Sequence, residues 1–148
     1  MISNWDIKFI NLAKHISTWS KDRSTKIGAV IVDKDNRIVS IGYNGFPTDI
    51  NDNVEERHQR PAKYLYTEHA ERNSIYNSSR IGVSTKGCSI YISQLFPCTD
   101  CARAIIQSGI DTIYCNEPNF NDERWGENFK VSYEMLIEAN IKLIYHVL

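Results

Sequence analysis

The sequence predicts an α/β fold: a mixed five-stranded sheet between helices, with strands three to five parallel. Two β-branched runs joined by a short polar turn indicate an antiparallel hairpin. Three later strand-like runs are separated by helix-length crossovers, the connection that parallel strands require. The 148 residues, 42% of them hydrophobic and 24% charged, suit one globular catalytic domain spanning 1–148.

The elements follow in order. Ser3 and Asp6 form a capping box, and Trp5, Phe9, Leu12, Ala13, Ile16 and Trp19 continue at helical spacing, giving a first amphipathic helix. Ile27 to Asp33, the turn KDN and Arg37 to Tyr43 form the hairpin. From Asn44 to about Tyr66 no period is sustained, and an excursion of that length in a compact domain points to a functional loop. A second helix is expected from about His69 to Ser78 and a third strand from Cys88 to Ser93. Pro97 opens a third helix, carrying Cys98, Ala102, Ile105 and Ile106, which stops at Gly109. Thr112 to Cys115 is a fourth strand, Val131 to Ala139 a fourth helix and Lys142 to His146 a fifth strand. The order is αββαβαβαβ.

Seventeen basic against 18 acidic residues leave a net charge of −1, without the basic excess that grips a polyphosphate backbone, so no nucleic acid partner is expected. A small anion needs only a local basic pocket. The start MISNWDIKFI lacks the basic flank and apolar core of a secretory leader, and no apolar run is long enough to span a membrane, so the expected location is cytoplasmic. In a reducing compartment the four cysteines, two of them in CxxC spacing, favour metal or redox chemistry over disulfides.

The chemistry concentrates in TEHAERN (Thr67 to Asn73) and FPCTDCARAII (Phe96 to Ile106), each at the start of a helix. Cys98 and Cys101 lie three residues apart, so both sulfurs project from one helix face towards a single ion, and a helix N-terminus favours thiolates. With His69 they make three protein ligands and leave a fourth tetrahedral position open to water, the pattern of catalytic zinc. Glu71, two residues from His69, is the candidate general base and acid. From there it can take the proton of a metal-bound water and return it to a bound substrate. A lone CxxC would equally suit a zinc knuckle or a redox pair, but no second CxxC accompanies it. Cys88 and Cys115, in apolar strands, read as inert buried thiols, and His15 and His146 as structural. His58 lies beside Glu55 and Glu56, either in a second metal site or in a solvated loop.

The pair HxE and PCxxC resembles the signature of zinc-dependent nucleobase deaminases. The wider pattern, SKDRSTKIGAVIV, GYNGFP, TEHAERNSI, KGCSIYI and LFPCTDCARAIIQSGI, resembles the deoxycytidylate (dCMP) deaminases from about Ser20 to Ile113. The resemblance implies a three-layer α/β/α cytidine-deaminase-like fold and hydrolysis of dCMP to dUMP and ammonia, supplying dUMP for thymidylate synthesis. It further implies one catalytic Zn2+, a homo-hexamer, activation by dCTP and inhibition by dTTP, with Mg2+ at the effector triphosphate. Asn44 is implied to contact the sugar, though it could equally be a turn residue, and the backbone N–H of Ala70 or Glu71 to meet the pyrimidine O2. Gly42, Tyr43, Asn44 and Gly45 are implied at the effector site. Arg23, Ser24, Thr25 and Lys26 would suit a phosphate, or form an ordinary solvated loop. Phe120, Arg124 and Trp125 could wall the base pocket or pack beneath their loop. The alternatives are a tRNA or other polynucleotide adenosine or cytidine deaminase, and a non-catalytic zinc-binding module.

Overall fold

The computed structural model describes residues 2–148. Helix α1 (Asn4–Ser17) opens on the expected capping box: Asp6 N–H donates to Ser3 Oγ, and Ser3 N–H donates to the Asp6 carboxylate. Strands β1 (Gly28–Val32) and β2 (Ile38–Tyr43) form the antiparallel hairpin, with Asn36 in the left-handed region at its turn. The long excursion holds two single-turn helices, α2 (Glu55–His58) and α3 (Lys63–Tyr66). Then come α4 (Ala70–Ile81), β3 (Ser89–Ile92), α5 (Thr99–Gln107), β4 (Thr112–Cys115), α6 (Gly126–Glu138) and β5 (Lys142–Tyr145).

The sheet runs β2-β1-β3-β4-β5. β1 pairs antiparallel with both β2 and β3, while β3, β4 and β5 are parallel, as the crossovers require. Alternation along the strands sorts their side chains between the two faces. Val30, Val32 and Tyr91 meet Phe9, Ile10 and Ala13 of α1. Ala29, Ile31, Ile90, Ile92, Ile113 and Cys115 meet the buried residues of α4, α5 and α6. The three layers are thus lopsided, with α1 alone on one face. Two glycines allow the layers to close. A Cβ on Gly28 would lie 2.0 Å from the Ala13 carbonyl oxygen, and one on Gly42 would lie 2.4 Å from Ser74 N, so β1 and β2 approach α1 and α4 nearly backbone to backbone.

Helix α4 runs three residues past the expected Ser78 and ends at Gly82, left-handed at φ 78°. Helix α6 begins at Gly126, five residues before Val131. Its first two turns are recruited by a neighbour: Asn128 Oδ1 accepts from Thr99 N–H at 2.9 Å, and Ser132 Oγ donates to the Pro97 carbonyl at 2.8 Å. The first turn of α6 therefore caps α5, and a hydrophobic pattern carries no trace of that task.

Candidate active site

Two helix starts converge. His69 is the N-cap of α4 and Cys98 the N-cap of α5, with Cys101 one turn further on. Both residues have extended backbone at the cap, so their side chains leave the helix end together rather than packing along it. His69 Nδ1 is 3.5 Å from Cys98 Sγ and 3.5 Å from Cys101 Sγ, and the three ligand atoms lie within 4.8 Å of one another. Tetrahedral zinc, with Zn–S near 2.3 Å and Zn–N near 2.0 Å, separates nitrogen from sulfur by about 3.5 Å. The donor set therefore fits zinc in kind and in spacing.

The electrostatics agree. A hydrogen bond from Cys101, aided by His69, pulls the Cys98 thiol down to about 4 against the cost of burial. The same bond and its own burial push Cys101 well up. Without a cation the pair holds one negative charge between two sulfurs, and a divalent ion is what lets both ionise. The hydrogen bond to Cys98 also raises His69. Burial pushes the Glu71 carboxyl up, against the pull of His69. Glu71 is 6% exposed and sits in the first turn of α4. Arg72 ties the two helix starts together, paired with Glu68 ahead of α4 and with Asp100 on α5, the latter at 3.5 Å.

His69, Glu71 and Cys98 line a cleft of about 200 Å³. Asn44 and Ala70 line it too. Asn44 does not have the left-handed backbone of the turn reading. Its side-chain oxygen accepts from Ile27 N–H and its amide donates to the Thr25 carbonyl, both at 2.8 Å, which fixes it against the segment before β1. One N–H and one lone pair of the amide stay available. Ala70 N–H is a first-turn donor with no partner inside its helix.

Of the four residues expected to meet a phosphate, only Thr25 lines the cleft. Arg23 pairs with Glu55 at 2.7 Å instead, and Ser24 N–H, like that of Thr25, donates to Asp22. Ser24 and Lys26 are both exposed, Lys26 giving its carbonyl to Gln94. The cations that do line the cleft are Arg60, Lys63 and Arg124. Lys63 is spent on Asp22, at 3.1 Å in a nearly buried pair. Burial opposes the charge on Asp22, but the N–H groups of Thr25 and Ser24 together with Lys63 hold its pKa below the ordinary value. Among the described residues neither Arg60 nor Arg124 forms a salt bridge. Both guanidinium groups lie over Tyr64, at 5.9 and 5.1 Å from its ring centre. Sequence reasoning missed Arg60 and Tyr64, because a Pro-containing polar loop gives no hint of which of its cations fold inward.

Trp125 lines the cleft and also stacks on Phe129, while Phe120 packs edge-on against Tyr133. His58 is committed to the Asp52 carbonyl and to the face of Phe46. Gly42 is packed on α4, whereas Tyr43 and Gly45 line a second cleft of about 70 Å³ that shares Asp22 and Thr67 with the first. No helix among the described residues is long and apolar enough to cross a membrane.

Comparison with known proteins agrees with this geometry. The family profile described as the cytidine and deoxycytidylate deaminase zinc-binding region matches residues 3–117. An uncharacterized deaminase in the luxG 3′ region of Aliivibrio fischeri is 42% identical over 98% of this chain and 95% of its own. The human deoxycytidylate deaminase is 39% identical over 80% of this chain and 67% of its own. The crystal structure of a dCMP deaminase from the cyanophage S-TIM5, in complex with dCMP and dUMP, superposes with a TM-score of 0.78 at 21% identity, covering 99% of each chain.

Proposed function

Because the chain belongs to the cytidine and deoxycytidylate deaminase zinc-binding family, we propose that this zinc-dependent deaminase hydrolyses dCMP to dUMP and ammonia. The observation that carries the choice of a nucleotide is the cleft itself: a His–Cys–Cys triad and a buried carboxyl at one part of its wall, and at another two arginines that form no salt bridge among the described residues.

Zinc held by His69, Cys98 and Cys101 supplies the Lewis acidity that makes water a nucleophile near neutral pH. The remaining steps belong to the chain. Glu71, whose raised pKa makes it a better base than an ordinary carboxylate, takes the water proton and gives it to the pyrimidine N3. As the C4–N bond breaks and the C4 hydroxyl becomes a carbonyl, the same carboxylate takes that hydroxyl's remaining proton and hands it to the departing amine, which leaves as ammonia. The N–H of Ala70 holds O2 of the base, and the spare amide N–H of Asn44 holds the sugar. Arg60, whose Nε–H donates to the Tyr64 hydroxyl, and Arg124 take the 5′-phosphate, with Thr25 beside them, because charge-assisted bonds from a guanidinium without a carboxylate partner are strong. We assign dCTP and dTTP, as activator and inhibitor, to the second cleft beside Tyr43 and Gly45.

Ammonia release from dCMP, dCTP, deoxycytidine and tRNA at equal enzyme, with and without dCTP and dTTP, tests these assignments together. dCMP is expected to lead, with turnover rising in dCTP and falling in dTTP. Activity confined to tRNA would transfer the protein to the polynucleotide deaminases, against its net charge of −1. Rates indifferent to both triphosphates would remove the effector assignment alone.

A further inference from the structure

Leu95 is a β-unbranched apolar residue in a backbone conformation that such residues avoid, φ 68°, and it is also 48% exposed. No packing explains the strain, since a half-exposed leucine gains little by it. The conformation is nevertheless enforced from outside the turn. Asn116 Oδ1 accepts from Leu95 N–H at 2.8 Å, and Asn116 N–H donates to the Leu95 carbonyl at 3.2 Å. Asn116 Nδ2 in turn donates to the His146 carbonyl at 2.7 Å, and the buried ring of His146 reaches the Ile92 carbonyl at 2.8 Å. The C-terminal ends of β3, β4 and β5 are thus laced together beneath one turn, three residues before Cys98. What this bracing secures is visible in the cleft, where Leu95 lies on the wall with Phe96, Cys98 and Glu71.

We propose that Leu95 is a specificity-determining residue that walls the pocket for the base, and that Asn116 is its positioning residue, holding it there at a cost in backbone strain. The assignment rests on the reading of this cleft as the site of deamination. A ring that is flat and apolar on its faces is held against such a wall in ground and transition state alike, so losing the wall weakens binding and shows chiefly in KM.

Leu95→Gly and Leu95→Ala separate side chain from strain. Glycine relieves the left-handed backbone and alanine does not, yet both remove the wall. Leu95→Gly is expected to raise Tm by about 2–4 °C while kcat/KM for dCMP falls about tenfold, mostly through KM. Leu95→Ala should lose the same tenfold with no gain in Tm. Asn116→Ala should raise KM in wild type and add little in the Leu95→Gly background, because the two act as one unit. Zinc content should match wild type in each variant. Wild-type kcat/KM in Leu95→Gly would overturn the wall, and an unchanged or lower Tm would overturn the strain. Should the wild type deaminate some other base, the same ratios measured on that base decide the matter. Failure of dCMP as substrate is thereby kept apart from failure of Leu95.

Discussion

At the scale of single residues, the proposed mechanism divides the labour between groups that hold a metal and a group that moves protons. Cys98 and Cys101 are stabilised as a dithiolate only by a cation, whereas Glu71 is buried beside the triad without belonging to it. Glu71→Ala is therefore expected to keep its zinc and lose about 10²–10⁴-fold in turnover. Cys98→Ala should lose the metal itself. Metal analysis alongside ammonia release distinguishes the two, and a Glu71→Ala enzyme with near-normal rates would refute the proton shuttle. His69, Cys98, Cys101 and Glu71 were legible in the sequence because ligand chemistry demands particular residue types at short spacing. Arg60 and Leu95 were not, because one is recruited by the fold of a long loop and the other by a left-handed turn.

At the scale of elements, the helix that His69 caps is fixed by a close approach. β2 lies so near α4 that Gly42 has no room for a side chain. Gly42→Ala is expected to cost about 1–3 kcal/mol, read as a lower urea midpoint, because the backbone of Ser74 cannot yield as a flexible side chain would. As α4 shifts it carries His69 with it, so zinc affinity should fall in the same variant. Existence and order of the principal helices and strands followed from hydrophobic period and from the Gly and Pro punctuation at Pro97 and Gly109. The boundary misjudged by most was the start of α6, where Gly126 to Lys130 look like loop but cap α5 through Asn128. The single turns α2 and α3 escaped notice because four residues are too few to show a period.

At the scale of the whole molecule, acid should destabilise it through His146, which does not itself line the cleft. His146 is 4% exposed, and its Nδ1 has no hydrogen-bond partner among the described residues. Burial, with the nearby charge of Lys14, lowers its pKa from 6.5 in spite of the bond to Ile92. The unfolded chain then binds a proton that the folded one refuses, so this contribution is fully present above pH 6.5 and lost as pH falls through the folded pKa. Urea midpoints taken near pH 7.5 and near pH 5.5 should drop more steeply for wild type than for His146→Gln, and parallel curves would acquit His146. The strand order has a different consequence, one of timing. His69 and Cys98 stand 29 residues apart, on helices that meet only after β3 has found β1, a strand that contributes no ligand of its own. Such non-local pairing comes late. Cobalt(II), coloured when thiolates bind it, should accordingly gain its absorption with the slow phase of refolding and stay pale through the earlier appearance of helix, making the catalytic centre a clock for the closing of the sheet.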